Sequence, residues 1–217
     1  MRMLTLVRGA SLTAALLLLQ AANGRAQICA LPLNCPSLAN STHPSFIALM
    51  GHDGSGNTDP RGEFLVVFRD IANNPIPNAV IRVELTVSDV VLCADQQAGL
   101  TGHGASYVEG LTDQAGMFTV SLRGAGAGAA QQILSGPRGG QIFGNGQLLA
   151  NIEVVAYDLD GTGGVGANDL SLWLQDFGLG QDFLRGDYDG DGSMGANDLS
   201  FWLTLFGGGA SAASCSP

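Results

Sequence analysis

The chain has 217 residues, of which 32 are Gly; 46% are hydrophobic and only 13% are charged. These proportions exclude a disordered acidic tail, a collagen-like repeat and a coiled coil, and the length allows one ordinary domain with a small satellite. All nine basic residues are Arg, and against 19 acidic residues they leave a net charge of -10, so no nucleic acid or anionic membrane surface is expected as a partner.

Residues 1–26 read as an export signal. Arg2 and Arg8 form a positive n-region, Gly9 to Leu19 an apolar run, and the small residues Ala21, Ala22 and Ala26 precede a cleavage position before Gln27. The run is shorter than the ~20 residues a membrane span needs, so none is expected in the mature chain. Its removal takes away three Arg and no acid, moving the net charge from -10 to -13. The protein is expected to be secreted, extracellular or at the cell surface. Four cysteines remain, Cys29, Cys35, Cys93 and Cys215, and in an oxidising compartment they predict two disulfides, with three connectivities open. Zinc is a poor alternative, because no C-x2-C pair occurs and the only histidines are His43, His52 and His103.

Residues 27–60 form a Pro- and polar-rich N-terminal extension without a convincing period; Asn40-Ser41-Thr42 matches a glycosylation sequon. From about Glu63 to Tyr157 the apolar period is two. Ile81, Val83, Leu85 and Val87 alternate with polar residues, as do Phe118, Val120 and Leu122. The continuous run Phe64 to Phe68 suits a central strand, and Ile142-Phe143, a Gly144-Asn145-Gly146 turn and Leu148 to Tyr157 predict a hairpin. Gly124 to Ala130 and Ser135 to Gly140 read as loops. The expectation for residues 61–157 is an antiparallel β-sandwich, making the protein mainly β.

Two phrases narrow that expectation. Asp70 to Val83 (DIANNPIPNAVIRV) carries Pro75 and Pro77 in a stiff turn before a strand, and Thr112 to Leu122 (TDQAGMFTVSL) carries a tight turn at Asp113 to Gly116. Over roughly residues 60–157 these turns resemble the bacterial Ig-like and carboxypeptidase-regulatory-like sandwiches of exported proteins. The resemblance implies a spacer, display or adhesion unit and no catalysis.

After Tyr157 comes an internal repeat with a period of 29. The first copy is Asp158 to Asp169 (DLDGTGGVGAND) followed by LSLWLQDFG to Gly178; the second is Asp187 to Asp198 (DYDGDGSMGAND) followed by LSFWLTLFG to Gly207. Each is a twelve-residue acidic loop. Positions 1, 3, 5 and 12 are Asp158, Asp160, Thr162 and Asp169 in the first, and Asp187, Asp189, Asp191 and Asp198 in the second. Gly163 and Gly192 take position 6, where a calcium loop turns sharply, and Gly164 and Ser193 take position 7, which donates a backbone carbonyl. A hard cation wants six to eight oxygens, and this spacing wraps them around it, so two Ca2+ ions are expected. An acidic Gly-rich turn without metal is the alternative; two loops in one register, each leading into a matching helix, disfavour it.

The helices are predicted over Asn168 to Phe177 and Asn197 to Phe206, with Gly178 and Gly207 as C-caps. Leu170, Trp173, Leu174 and Phe177, and likewise Leu199, Trp202, Leu203 and Phe206, form one apolar stripe on each. The duplicated loop-helix unit over residues 157–207 resembles the dockerin type I module. That resemblance implies docking to a cohesin-like or other extracellular protein, often in polysaccharide-degrading assemblies. Partner contacts would fall at loop positions 10 and 11, here Ala167, Asn168, Ala196 and Asn197. This sequence departs from the family in the helix, where Leu174-Gln175 and Leu203-Thr204 stand in place of a Lys-Arg pair.

The predicted organisation is a signal peptide (1–26), an extension (27–60), an Ig-like sandwich (61–157), a small α-helical dockerin-like module (158–207) and a tail (208–217). Gly161 to Gly166 formally matches G-x-G-x-x-G, but Asp158 and Asp160 would repel a pyrophosphate and no βαβ unit surrounds it. Arg185-Gly186-Asp187 spells an adhesion tripeptide, but Asp187 is position 1 of the second loop, where a metal would occupy it. No nucleophile elbow or Cys-His pairing is evident, so a noncatalytic role in attachment or display is expected. A secreted carbohydrate-active enzyme or carbohydrate-binding unit is the alternative, as is a calcium module serving only as a structural clasp.

Overall fold

The computed structural model describes residues 35–49, 62–85, 90–94, 96–126, 139–162, 164–179 and 185–207. The expected export signal, Cys29, Cys215 and the tail lie outside these residues. Among the described residues the protein is mainly β, with ten strands and two helices. The strands are β1 (Phe46–Leu49), β2 (Glu63–Val67), β3 (Val80–Leu85), β4 (Val90–Leu92), β5 (Gly102–Gly104), β6 (Tyr107–Leu111), β7 (Met117–Ser121), β8 (Gly124–Gly126), β9 (Gly139–Gly144) and β10 (Gln147–Ala156). The helices are α1 (Ala167–Leu179) and α2 (Ala196–Gly207).

Turn chemistry sets the strand ends. Asp70 Oδ1 accepts the Ala72 and Asn74 backbone N–H groups at 2.9 and 2.8 Å, closing the turn that delivers Pro75 and Pro77. The buried Thr112 hydroxyl accepts from Ala79 N–H at 2.8 Å and donates to the Ile76 carbonyl at 2.7 Å, pinning that turn to the start of β3. Asp113 Oδ1 likewise accepts from Ala115 and Met117 before β7. At the β9–β10 hairpin Asn145 and Gly146 have φ of 49° and 78°, the two positive values a type I′ turn needs.

β1-β10-β9-β3-β6-β5 form a six-stranded sheet, while β2-β7 and β4-β8 form two ribbons. The alternation predicted for Ile81, Val83 and Leu85 puts all three inside, and Phe118 and Val120 follow suit. The inner faces of the large sheet and of both ribbons contribute to a single hydrophobic cluster that includes Phe64, Val66, Val108, Ile142 and Val154. Each such side chain contributes ~1.5–3 kcal/mol on leaving water.

Several expectations are corrected. The run Phe64 to Phe68 is not a central strand: β2 forms a two-stranded ribbon with β7, and Leu65 is 43% exposed because alternate residues face outward despite being apolar. The extension is not separate from the sheet, since Phe46–Leu49 pairs with β10, in parallel rather than antiparallel. Gly124–Gly126 is the buried strand β8 instead of a loop, and Gly139 and Gly140 open β9. β8 consists of small residues because the chain runs tightly past its neighbours: a Cβ at Gly126 would stand 2.3 Å from the Leu159 carbonyl oxygen. Gly178 does not cap α1, which continues to Leu179, and Gly207 is the last helical residue of α2. Cys35 and Cys93 are both in disulfide linkage. No helix among the described residues is long and apolar enough to cross a membrane.

Candidate metal centres

β10 runs straight into the first acidic loop. The Asp158 carbonyl accepts the Gly126 N–H at 2.6 Å, which fastens the loop's first residue to β8. Asp158 Oδ1 accepts from Thr162 N–H at 3.1 Å, and Asp160 Oδ1 accepts both the Thr162 N–H and its hydroxyl at 2.8 Å. Asp169 Oδ1 accepts from Leu159 and Asp160 at 2.7 and 3.0 Å, while its Oδ2 accepts from Gly166 N–H at 2.7 Å. The last contact is an acid at the third helical position reaching back to the residue before the helix, which caps the N-terminus of α1.

The second loop repeats this plan. Asp187 Oδ1 accepts from Gly190 and Asp191 at 2.8 and 3.2 Å, and its Oδ2 from Gly192 at 2.8 Å. Asp191 Oδ1 accepts the Ser193 N–H and hydroxyl. Asp198 Oδ1 accepts from Tyr188 and Asp189, and its Oδ2 from Gly195 at 2.7 Å, capping α2 as Asp169 caps α1.

Carboxylate oxygens of Asp158, Asp160 and Asp169 lie within 4.8 Å of one another, as do those of Asp187, Asp189 and Asp191. Either trio could hold a metal ion. The two are not identical, because Asp198 is outside the second group while its counterpart Asp169 is inside the first. Asp158 is fully buried, and its Oδ2 has no hydrogen-bond donor. A buried carboxylate oxygen without a donor is costly unless a cation completes it, so the residues present fit such an ion. Gly164 is buried with a φ of 75°; Ala167, Asn168, Ala196 and Asn197 are all exposed at the helix starts.

Burial pushes the Asp158 carboxyl up to about 7, helped by the nearby charges of Asp169 and Asp160 and opposed by backbone N–H donors. Asp169 and Asp187 are also raised, chiefly by burial. An unfolded aspartate titrates at about 3.9. Between these values the folded chain holds an extra proton, so cation-free stability falls as pH rises. In chelator, the urea midpoint is expected to decline from about pH 4 to about 7, and saturating calcium, which takes the proton's place, is expected to remove the decline. A flat midpoint in chelator would contradict this.

Other residues of the site were not foreseen from the sequence. Asp176, on the inner side of α1, accepts from Arg185 through both oxygens, with Nη2–Oδ1 at 3.0 Å and a tighter Nε–Oδ2 contact. Their side chains are 3% and 12% exposed. The available signal was that Arg185 is the only basic residue between 158 and 207. Trp173 Nε1 donates to the Gly186 carbonyl at 3.0 Å. With Arg185 engaged by Asp176, Gly186 buried and Asp187 accepting loop N–H groups, the RGD tripeptide is built into the interior.

The predicted stripes are divided. Trp173 and Trp202 are buried, in one cluster with Ala48, Val155, Tyr157, Val165 and Tyr188. Leu174, Phe177, Leu203 and Phe206 are 43–53% exposed, whereas Leu205, outside the predicted stripe, is buried. The Tyr157 and Tyr188 rings, from the residues next to Asp158 and Asp187, stack with centroids 4.3 Å apart. No family model matches the chain, and no curated protein or solved structure shows significant similarity to it.

Proposed function

We propose that this is an exported, noncatalytic calcium-binding protein that acts in attachment, display or protein–protein docking, with residues 158–207 as a dockerin-like module of two calcium loops. The observation that carries the reading is the buried, donorless Asp158 Oδ2 inside a carboxylate trio, within a loop design that the chain repeats. Calcium is the ion because the donors are carboxylates and carbonyls on twelve-residue loops, whereas magnesium demands a stricter octahedron and retains its waters. The mainly β part is read as an Ig-like sandwich, extended by the parallel strand β1. Exposed Leu174 and Phe177 on α1 recur as Leu203 and Phe206 on α2, leaving apolar surface beside Ala167, Asn168, Ala196 and Asn197 for an extracellular partner such as a cohesin-like protein.

The clasp reading has its own support in the packing of both tryptophans with residues of β1 and β10. The two readings are compatible: one half of each stripe clasps the sheet and the other remains exposed. A carbohydrate-active enzyme would draw support from an acid or histidine beside Glu109; among the described residues Arg82 approaches it, at 3.9 Å.

Calorimetric titration of calcium into chelator-stripped mature protein is expected to saturate near two ions, with a gain of helical circular dichroism. The gain follows because Asp169 and Asp198 link loop order to the N-terminal caps of α1 and α2. No uptake would overturn the calcium reading and remove the main support for attachment.

A further inference from the structure

The second loop and the large sheet meet at a corner. On β10, Ile152, Val154 and Ala156 face the main core, while Val155 and Tyr157 face the module. One step back on that outer face Glu153 is exposed, with Phe46 of β1 and Gly139 of β9 as its partners in register. Asn151 comes next, and Gln141 Nε2 donates to its Oδ1 at 3.0 Å. Ser45, Phe46, Gly139, Asn151, Glu153 and Gly190 line a cleft of about 530 Å3. Gly190 belongs to the second acidic loop and closes one side: a Cβ there would stand 2.8 Å from the Phe46 ring, so the loop backbone rests on it.

The chemistry of this lining selects among ligands. Among the described residues its side chains supply one carboxylate, one carboxamide, one hydroxyl and one aromatic ring and no cation, so the Glu153 carboxylate disfavours an anionic ligand. The floor beyond the cleft is polar, because the register carries the row from Asn151 to Gln141 and then to Glu84, which suits no apolar peptide. A pyranose ring presents apolar C–H groups that pack on an aromatic ring, and vicinal hydroxyls. A carboxylate accepts from two such hydroxyls, and a carboxamide both donates and accepts. The volume falls within the about 300–1,000 Å3 usual for small-ligand sites.

We propose that this corner is a binding site for a neutral polysaccharide, whose chain crosses β10, β9 and β3 along the row of Asn151, Gln141 and Glu84. One wall depends on the calcium reading above, since Gly190 lies between Asp189 and Asp191. The site therefore couples sugar binding to cation loading of the second loop.

The test uses full-length mature protein in calcium. It is screened on an array of neutral plant and microbial oligosaccharides with polygalacturonate as the anionic control, and any ligand found is followed by calorimetry. A neutral oligosaccharide is expected to bind, and Asn151→Ala and Glu153→Ala, both at exposed positions, are expected to weaken it by about ten-fold or more each. Chelation is expected to weaken it in the unmutated protein, while calcium stoichiometry stays unchanged in both variants. Binding to no neutral oligosaccharide, preference for polygalacturonate, or equal binding by the variants would overturn the proposal. Calcium titration of the same samples keeps the two readings apart. Normal uptake with no sugar binding rejects the corner alone, whereas failed uptake rejects the calcium loops.

Discussion

Asp187→Ala combined with Asp191→Ala is expected to lower the calorimetric calcium stoichiometry from two ions to one, with an affinity loss at the second loop of more than about a hundred-fold. Both residues belong to the Asp187, Asp189 and Asp191 trio, so the double substitution removes two of its three carboxylates. Asp187 also orders the loop through the N–H groups of Gly190, Asp191 and Gly192, so its loss disperses the oxygens that remain. Glu84→Ala removes a carboxylate of the same charge from the open sheet face, where it pairs with Arg82 at 3.3 Å. It is expected to leave both calcium ions in place. Equal effects of the two changes would show that calcium responds to overall charge rather than to the loop.

The largest stability loss from a single polar substitution is expected at Asp176. Asp176→Ala strands the Arg185 guanidinium, which is only 12% exposed, without its carboxylate. Breaking a buried pair from one side costs about 3–5 kcal/mol, because the remaining charge stays desolvated. The measurement is the urea midpoint in saturating calcium. Replacing both partners by leucine is expected to recover much of the loss, since no unpaired charge then remains. A loss below about 1 kcal/mol for Asp176→Ala would be the value of an exposed pair and would contradict the burial seen here.

How much of this was legible in the sequence depended on the range of the interaction. The Asn145-Gly146 hairpin, the Asp113 turn and the twelve-residue loops all rest on contacts within a few residues, and their signatures could be read directly. The role of β1 could not, because four residues, Phe46–Leu49, carry too short a pattern and their partner lies about a hundred positions away on β10. The glycine-rich strand β8 was hidden for another reason. Its residues are small because the Leu159 and Val91 backbones come close, a demand set by neighbours distant in sequence. The helix stripes were correct as periodicities, yet period alone could not say which half would be covered. Trp173 and Trp202 turn inward to the sheet, while Leu174 and Leu203, one residue later, remain outside. Asp198 illustrates the limit within the site itself: identical spacing to Asp169 did not give an identical place relative to its trio.

The direct passage of β10 into Asp158 has a mechanical consequence. A tether pulling on the module would draw along the axis of a ten-residue strand held by β1 on one side and β9 on the other. Its inter-strand hydrogen bonds lie across the pull, so they share the load in shear instead of opening one after another. A protein anchored through its C-terminal part would thereby transmit force into its large sheet, one strand in from the edge, through a direct connection.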